Sequence, residues 1–139
     1  MKLYQSTLLV DTSQHRFTKI SQLIQDTVGV SKITTGICTV FIEHTSASLI
    51  IQENADPAVL RDLENWMSEL VPETRKWEHA DEGPDDMPAH VRSAITKTSE
   101  SIPIRNGLLT LGTWQGLYLW EHRSHAHRRN LVVHVQGVE

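Results

Sequence analysis

A chain of 139 residues with one cysteine and a formal charge of −4 has room for a single domain, residues 1–139, but not for two cores of ordinary size. Its acidic and basic residues are interspersed over most of the length, which excludes the broad positive field of a nucleic-acid binder. Cys38 has no partner for an intrachain disulfide, the N-terminus lacks a signal peptide's apolar stretch, and no apolar run approaches the ~20 residues that span a bilayer. The expectation is a cytoplasmic protein with neither nucleic acid nor membrane as partner.

Segments 6–10 and 15–20 flank the polar cluster Asp11-Thr12-Ser13 and predict a hairpin. Ile20, Leu23, Ile24, Thr27 and Val28 recur at helical spacing, predicting a short amphipathic helix capped by Ser21 and ended by Gly29. The β-branched run 37–42 predicts a strand buried on both faces or nearly so. His44 emerges at its end on the face of Cys38, Val40 and Ile42, while Glu43 points the other way. Strand character resumes over 46–52. Asp56 before Pro57 then marks a helix start, and Val59, Leu60, Leu63, Trp66, Met67 and Leu70 give that helix an apolar face before Pro72 stops it.

Between Trp77 and Asp86 the chain carries Glu78, Asp81, Glu82, Asp85 and Asp86 around Gly83-Pro84 with no lysine or arginine, a loop. A helix follows from Met87 or Pro88 to Thr96 with Met87, Val91, Ala94 and Ile95 as its apolar stripe, and His90 lies on the stripe's edge. Strands are then predicted over 102–104, 108–111, 117–121 and 131–135, separated by turns at Asn106-Gly107 and at residues 112–116 and by a long basic connection, 122–130. Hairpin-joined strands with three helices interspersed predict an α+β domain of largely antiparallel or mixed sheet.

No local zinc signature is present, so any metal site must be assembled from separate elements. His44 at a strand end, His79 in the acidic loop and His90 at a helix start are the candidate ligands, because a catalytic metal of the zinc type needs about three protein ligands and an open position. Each has an ordinary alternative as a partly buried or solvated imidazole. The acidic loop can hold a hard cation such as magnesium through Asp81, Asp85 or Asp86, or it can simply be solvated. Its crowding of charge calls for a counter-charge, which Arg123, His125, His127, Arg128 and Arg129 can provide from this chain or a neighbour. Thr45, Ser46 and Ser48 offer hydroxyls beside His44, and the turn at 112–116, which includes Thr113 and Gln115, can expose backbone N–H groups; both can hold phosphate oxygens or serve only geometry. Ser46 as a nucleophile lacks the Gly-x-Ser-x-Gly elbow. His122, His125 and His127 are assigned to surface or subunit contact, His134 to an ordinary strand hydrogen bond, and His15 carries no signal.

The succession Glu43-His44-Thr45-Ser46-Ala47-Ser48, Glu53-Asn54-Ala55-Asp56-Pro57, His79 with Gly83, Asp85-Asp86-Met87-Pro88-Ala89-His90 and Gly112-Thr113-Trp114-Gln115-Gly116 resembles the YjbQ-type family over nearly the whole chain. That family carries the label of secondary thiamine-phosphate synthase. The resemblance implies an α+β subunit of a homotrimer, with a pocket near the subunit boundary that gathers the histidine motifs. His44, His79 and His90 match its histidine positions, Asn54, Asp56 and Gln115 match polar ones, and Glu121 matches an acidic one; His125 and His127 depart from its pattern. The implied reaction joins a phosphorylated thiazole to a pyrimidine carrying pyrophosphate, with a divalent metal, zinc or magnesium, neutralising the leaving group. Asp56 or Glu121 would act as acid or base. The TIM barrel of the principal thiamine-phosphate synthases needs more than ~200 residues and does not fit this chain. The alternative is a non-catalytic trimeric module in which the same pocket binds a metal ion or an anionic metabolite.

Overall fold

Two antiparallel sheets and three helices make up residues 1–12 and 16–139, the part described by the computed structural model. In chain order the elements are β1 (Lys2–Asp11), β2 (Phe17–Lys19), α1 (Ser21–Ser31), β3 (Thr35–Ile42), β4 (Ala47–Glu53), α2 (Pro57–Leu70), α3 (Asp86–Ile95), β5 (Ser99–Arg105), β6 (Leu108–Leu109), β7 (Gln115–Glu121) and β8 (Arg128–Val138). The larger sheet has the order β1-β8-β3-β5-β6 and the smaller β2-β7-β4. This is the expected α+β class.

Among the described residues the expected hairpin connectivity holds at one place. β5 and β6 form a hairpin over Asn106 and Gly107, both at positive φ (53° and 76°), the backbone of a type I′ turn. β1 and β2 do not pair. β1 lies against β8 and β2 against β7, in different sheets, and residues 13–15 of the expected turn, His15 included, lie outside the described residues. β3 to β4 and β7 to β8 likewise cross from one sheet to the other.

That crossing creates the layers. The main core lies between the sheets and under α1, with Cys38, Val40 and Ile42 of β3, Leu131, Val133 and Val135 of β8, Leu49 of β4, Leu117 and Leu119 of β7, and Ile24 and Val28 of α1. On the far side of the smaller sheet a second cluster of Met67, Val71 and Trp120 packs with Phe17, Ile50 and Val91 beneath α2 and α3. β7 is therefore sandwiched, and every residue from Gly116 to Glu121 is buried. β3, for which burial on both faces was expected, is covered on one: Ile37 and Phe41 remain 36% and 46% exposed, on the outer face that Leu3 and Leu9 also occupy.

The helices follow local chemistry with two departures. α2 begins as read, the Asp56 carboxylate accepting the Ala58 N–H at 2.9 Å with Pro57 next to it. α1 runs past Gly29 and closes at Lys32, at φ 61°. Ser21 does not cap it; its hydroxyl accepts the Leu117 N–H instead. α3 is turned partly away from its expected stripe, of which Met87 and Val91 are half-buried. It buries Asp86, Pro88, Ala89, Arg92 and Ser93, and leaves Ala94 and Ile95 exposed. The inward polar groups have partners: Arg92 Nη2 donates to Val71 O and Ser93 Oγ to Ala47 O. Among the described residues no helix is long and apolar enough to cross a membrane.

Candidate metal site

The last turn of the acidic loop and the first turn of α3 bring four side chains to one point. Asp86 and His90 are four residues apart on the helix and so share a face. Gly83, at φ +102°, reverses the chain before them, so that His79 and Glu82 meet the same carboxylate. His79 Nε2 lies 2.8 Å and His90 Nε2 3.3 Å from Asp86 Oδ2, and His79 Nε2 lies 3.6 Å from Glu82 Oε2. One ligand atom from each of His79, Glu82, Asp86 and His90 falls within 4.8 Å of all the others.

The surrounding bonds set the protonation pattern. His90 Nδ1 stands 3.0 Å from Thr45 O, a carbonyl that can only accept, so this nitrogen carries the hydrogen. In that tautomer Nε2 is the ring nitrogen left to ligate a cation, and it lies 3.3 Å from Asp86 Oδ2. A backbone carbonyl fixing the far nitrogen is the usual support of a metal-bound histidine. Asp86 is enclosed while His79 and Glu82 are half-exposed, leaving one side of the cluster open.

The counter-charge expected from the basic connection comes from Arg123. Its Nη1 lies 3.1 Å from Asp86 Oδ1 and its Nε donates to Asp85 Oδ2 at 2.8 Å, where Ser124 adds its N–H and hydroxyl. Burial acts to raise both carboxyls, but Arg123 and Ser124 hold Asp85 well below the ordinary range. The hydrogen bond from His79 and the charges of His90 and Arg123 hold Asp86 down as well.

His44 is not part of this group. Its Nε2 accepts the Asn130 N–H at 2.7 Å, so the lone pair a metal would need is engaged by backbone, and Arg129 Nη1 lies 3.3 Å from Nδ1. Burial first and Arg129 second lower its pKa. It meets His90 only across a cavity of about 240 Å³ that Thr45, Ser93, Ala94 and Thr98 complete. Glu121 is equally engaged. Arg129 Nε donates to its Oε1 at 2.9 Å and Arg129 Nη2 contacts its Oε2, while Thr12 Oγ1 and Arg123 N–H fill the remaining positions. Burial opposes its ionisation, yet Arg129 and Thr12 keep its pKa low. In this state Glu121 orients Arg129 toward His44 and Ser46 O and is not poised to move a proton.

The remaining expected site residues divide between the two ends of the smaller sheet. Ala47 pairs with Glu121 at the histidine end and Glu53 with Gln115 at the other, six strand steps or roughly 20 Å apart at ~3.3 Å each. Asn54, Asp56, Thr113 and Gln115 belong to the distant end. There Asn54 donates to Thr113 O and Gln115 O, Gln115 Oε1 accepts the Gly112 N–H, and Asp56 caps α2. Thr45 and Ser46 sit beside the cluster, where their carbonyls hold His90 and Arg129; Ser48 is buried, its hydroxyl 2.8 Å from His122 Nε2. His122 itself corrects the expectation of a surface position. It extends β7, is 1% exposed, and burial together with Arg92, Arg16 and Arg129 pushes its pKa down to about 3. Glu82, expected only as one of the charges of the acidic loop, is the fourth member of the cluster. Its signal was the His79–Glu82 spacing of three within a glycine turn.

A family profile described as UPF0047 protein YjbQ-like matches residues 6–138. The UPF0047 protein sll1880 of Synechocystis sp. is 56% identical over 96% of this chain and 92% of its own length, and YjbQ of Salmonella typhimurium is 40% identical over 96% and 98%. Among solved structures, a YbjQ-like protein of unknown function from Sulfolobus solfataricus P2 superposes with a TM-score of 0.89 at 26% identity over 98% of each chain. A YjbQ/UPF0047 protein from Clostridium acetobutylicum does so with 0.82 at 31% identity, over 96% of this chain and 99% of that one.

Proposed function

The chain belongs to the YjbQ-like UPF0047 family, and from that premise we propose that it is a divalent-metal protein that handles a phosphorylated small molecule, as a transferase of the thiamine-phosphate synthase type. His79, Glu82, Asp86 and His90 hold the metal, and His44 lines the adjoining cavity. The observation that carries this reading is the convergence of two imidazoles and two carboxylates within 4.8 Å of one another, with the His90 ring held by Thr45 O. Two imidazoles with two carboxylates suit zinc, while magnesium prefers oxygen ligands and keeps more of its water. For ligands at ~2.0–2.2 Å the four atoms must draw together from their present spread of up to 4.8 Å, a movement the exposed His79 and Glu82 can make.

In the proposed reaction, a phosphorylated thiazole joined to a pyrimidine with release of pyrophosphate, a bound divalent ion supplies charge neutralisation at the leaving group. The protein's part is positional. Thr45 O fixes the His90 tautomer, Arg123 offsets the Asp85 and Asp86 charges, and the cavity between His44 and His90 seats the less charged reactant. The alternative module that binds a metal or anionic metabolite without turnover draws on a specific observation: Glu121 has both oxygens engaged and Ser48 is buried, so neither is free for acid, base or nucleophile. In either case we propose self-association as a homotrimer, supported by the exposed apolar side chains Leu3, Leu9, Ile37 and Phe41 on the outer sheet face. Sedimentation tests the assembly.

Metal content after zinc loading and desalting tests the site. Stoichiometric zinc lost in both His79→Ala and His90→Ala supports it, and full occupancy in both rejects it. Incubation of the metal-loaded protein with the two thiamine precursors separates enzyme from module. Turnover abolished by His79→Ala supports the transferase, and none in the loaded wild type rejects it.

A further inference from the structure

The segment between α2 and α3 encloses a second cavity, of about 390 Å³, on the other side of the metal cluster. That size falls within the roughly 300–1,000 Å³ of small-molecule pockets. Arg75, Lys76, Trp77 and His79 line it together with one carboxylate, Glu73. The Arg75 guanidinium lies over the Trp77 ring, 4.8 Å from its centroid, so the cation is held against a flat surface. Arg16, Arg123 and Arg129 are each tied to a carboxylate. Among the described residues Arg75 and Lys76 form no such ion pair and stay available to an anion. Across Trp77 and His79 an adjoining space of about 530 Å³ carries Glu78 and Asp81 and no lysine or arginine, so an anion is driven toward the Arg75 side. His79 belongs both to the cavity wall and to the metal cluster.

Resting on the metal assignment above, we propose that the cavity of Arg75, Lys76, Trp77 and His79 binds the diphosphate group of a substrate, one end on the two cations and the other at the His79 side of the metal. A single phosphate satisfies one of these ends; a diphosphate offers oxygens to both. The other cavity, lined by His90, stays open to the second reactant.

Calorimetry on the zinc-loaded full chain with inorganic pyrophosphate and inorganic phosphate tests the assignment, retention of zinc being checked after gel filtration. The wild type is expected to bind pyrophosphate at least tenfold more tightly than phosphate. The double variant Arg75→Ala/Lys76→Ala is expected to lose about tenfold or more in pyrophosphate affinity while zinc affinity stays within about twofold. Lys19→Ala/Arg61→Ala, which removes the same charge elsewhere, is expected to bind pyrophosphate as the wild type does. Equal losses in the two double variants, unchanged affinity in Arg75→Ala/Lys76→Ala, or no pyrophosphate binding by the zinc-loaded wild type overturns the diphosphate site and leaves the metal site standing. Absence of zinc binding by the wild type, read in its own titration, overturns the metal reading and this one with it.

Discussion

Substituting Gln for Glu121 separates a structural clamp from a chemical acid or base. Glu121 and Arg129 are 2% and 4% exposed, so the substitution leaves a guanidinium in the interior without its counter-ion. Breaking one side of such a pair costs about 3–5 kcal/mol, and the amide's remaining acceptor oxygen places this case near 3 kcal/mol. Against a total of roughly 5–15 kcal/mol that is a large fraction. With a urea slope of about 1–3 kcal/mol/M, the denaturation midpoint should fall by about 1–3 M. The pH dependence carries a sign. Because the folded-state pKa of Glu121 lies below its ordinary value, the stabilisation is complete above pH ~4.3 and fades as pH falls through the folded value, so wild type and variant should converge in acid. A midpoint shift below about 0.3 M, combined with loss of turnover, would refute the clamp and restore Glu121 as a proton carrier.

Further outcomes follow from burial and close packing. His122, with its pKa pushed down to about 3, is neutral in the fold and protonates on unfolding near pH 6.5; stability should therefore drop as pH falls below 6.5, by up to about 1.4 kcal/mol per unit, with His44 contributing in the same direction. His122→Gln should flatten urea midpoints measured between pH 6.5 and 4.5, and an unchanged slope counts against the buried neutral ring. An added Cβ at Gly36 would lie 2.0 Å from Gln136 O and 2.8 Å from Gly137 Cα, both backbone, so Gly36→Ala should lose about 3 kcal/mol or more or fail to fold. Gly29→Ala meets nothing within 4 Å inside α1 and should gain about 0.5–1 kcal/mol by thermal melting; equal behaviour of the two contradicts the β3–β8 packing. Burial pushes the Cys38 thiol up to about 11, so a disulfide reagent should label it only after denaturant is added; rapid labelling of native protein contradicts its core position.

How far local pattern reaches is plain from particular residues. Asp56-Pro57 specified the start of α2 because a cap is chemistry among near neighbours, and Asn106-Gly107 specified its hairpin for the same reason. Which face of α3 turns inward was not legible. Arg92 and Ser93 gain partners from Val71 and Ala47, residues distant along the chain, and these bonds outweigh the modest apolar stripe. The runs 37–42 and 117–120 look equally apolar, and only the assignment of β7 to the middle layer decides which is buried on both faces. His79 and His90 were singled out as potential ligands by residue type and by likeness to the family. That His44 stands apart depends on Asn130 N–H reaching its Nε2, a contact across 86 residues that no spacing announces.

β8 lies between β1 and β3 in the larger sheet although it follows every other strand in the chain. During synthesis the strand that completes both neighbours emerges after them, so β1 and β3 each present an unpaired edge until β8 follows. A chain halted before Arg128 would expose two long strand borders at once, a template for edge-to-edge association.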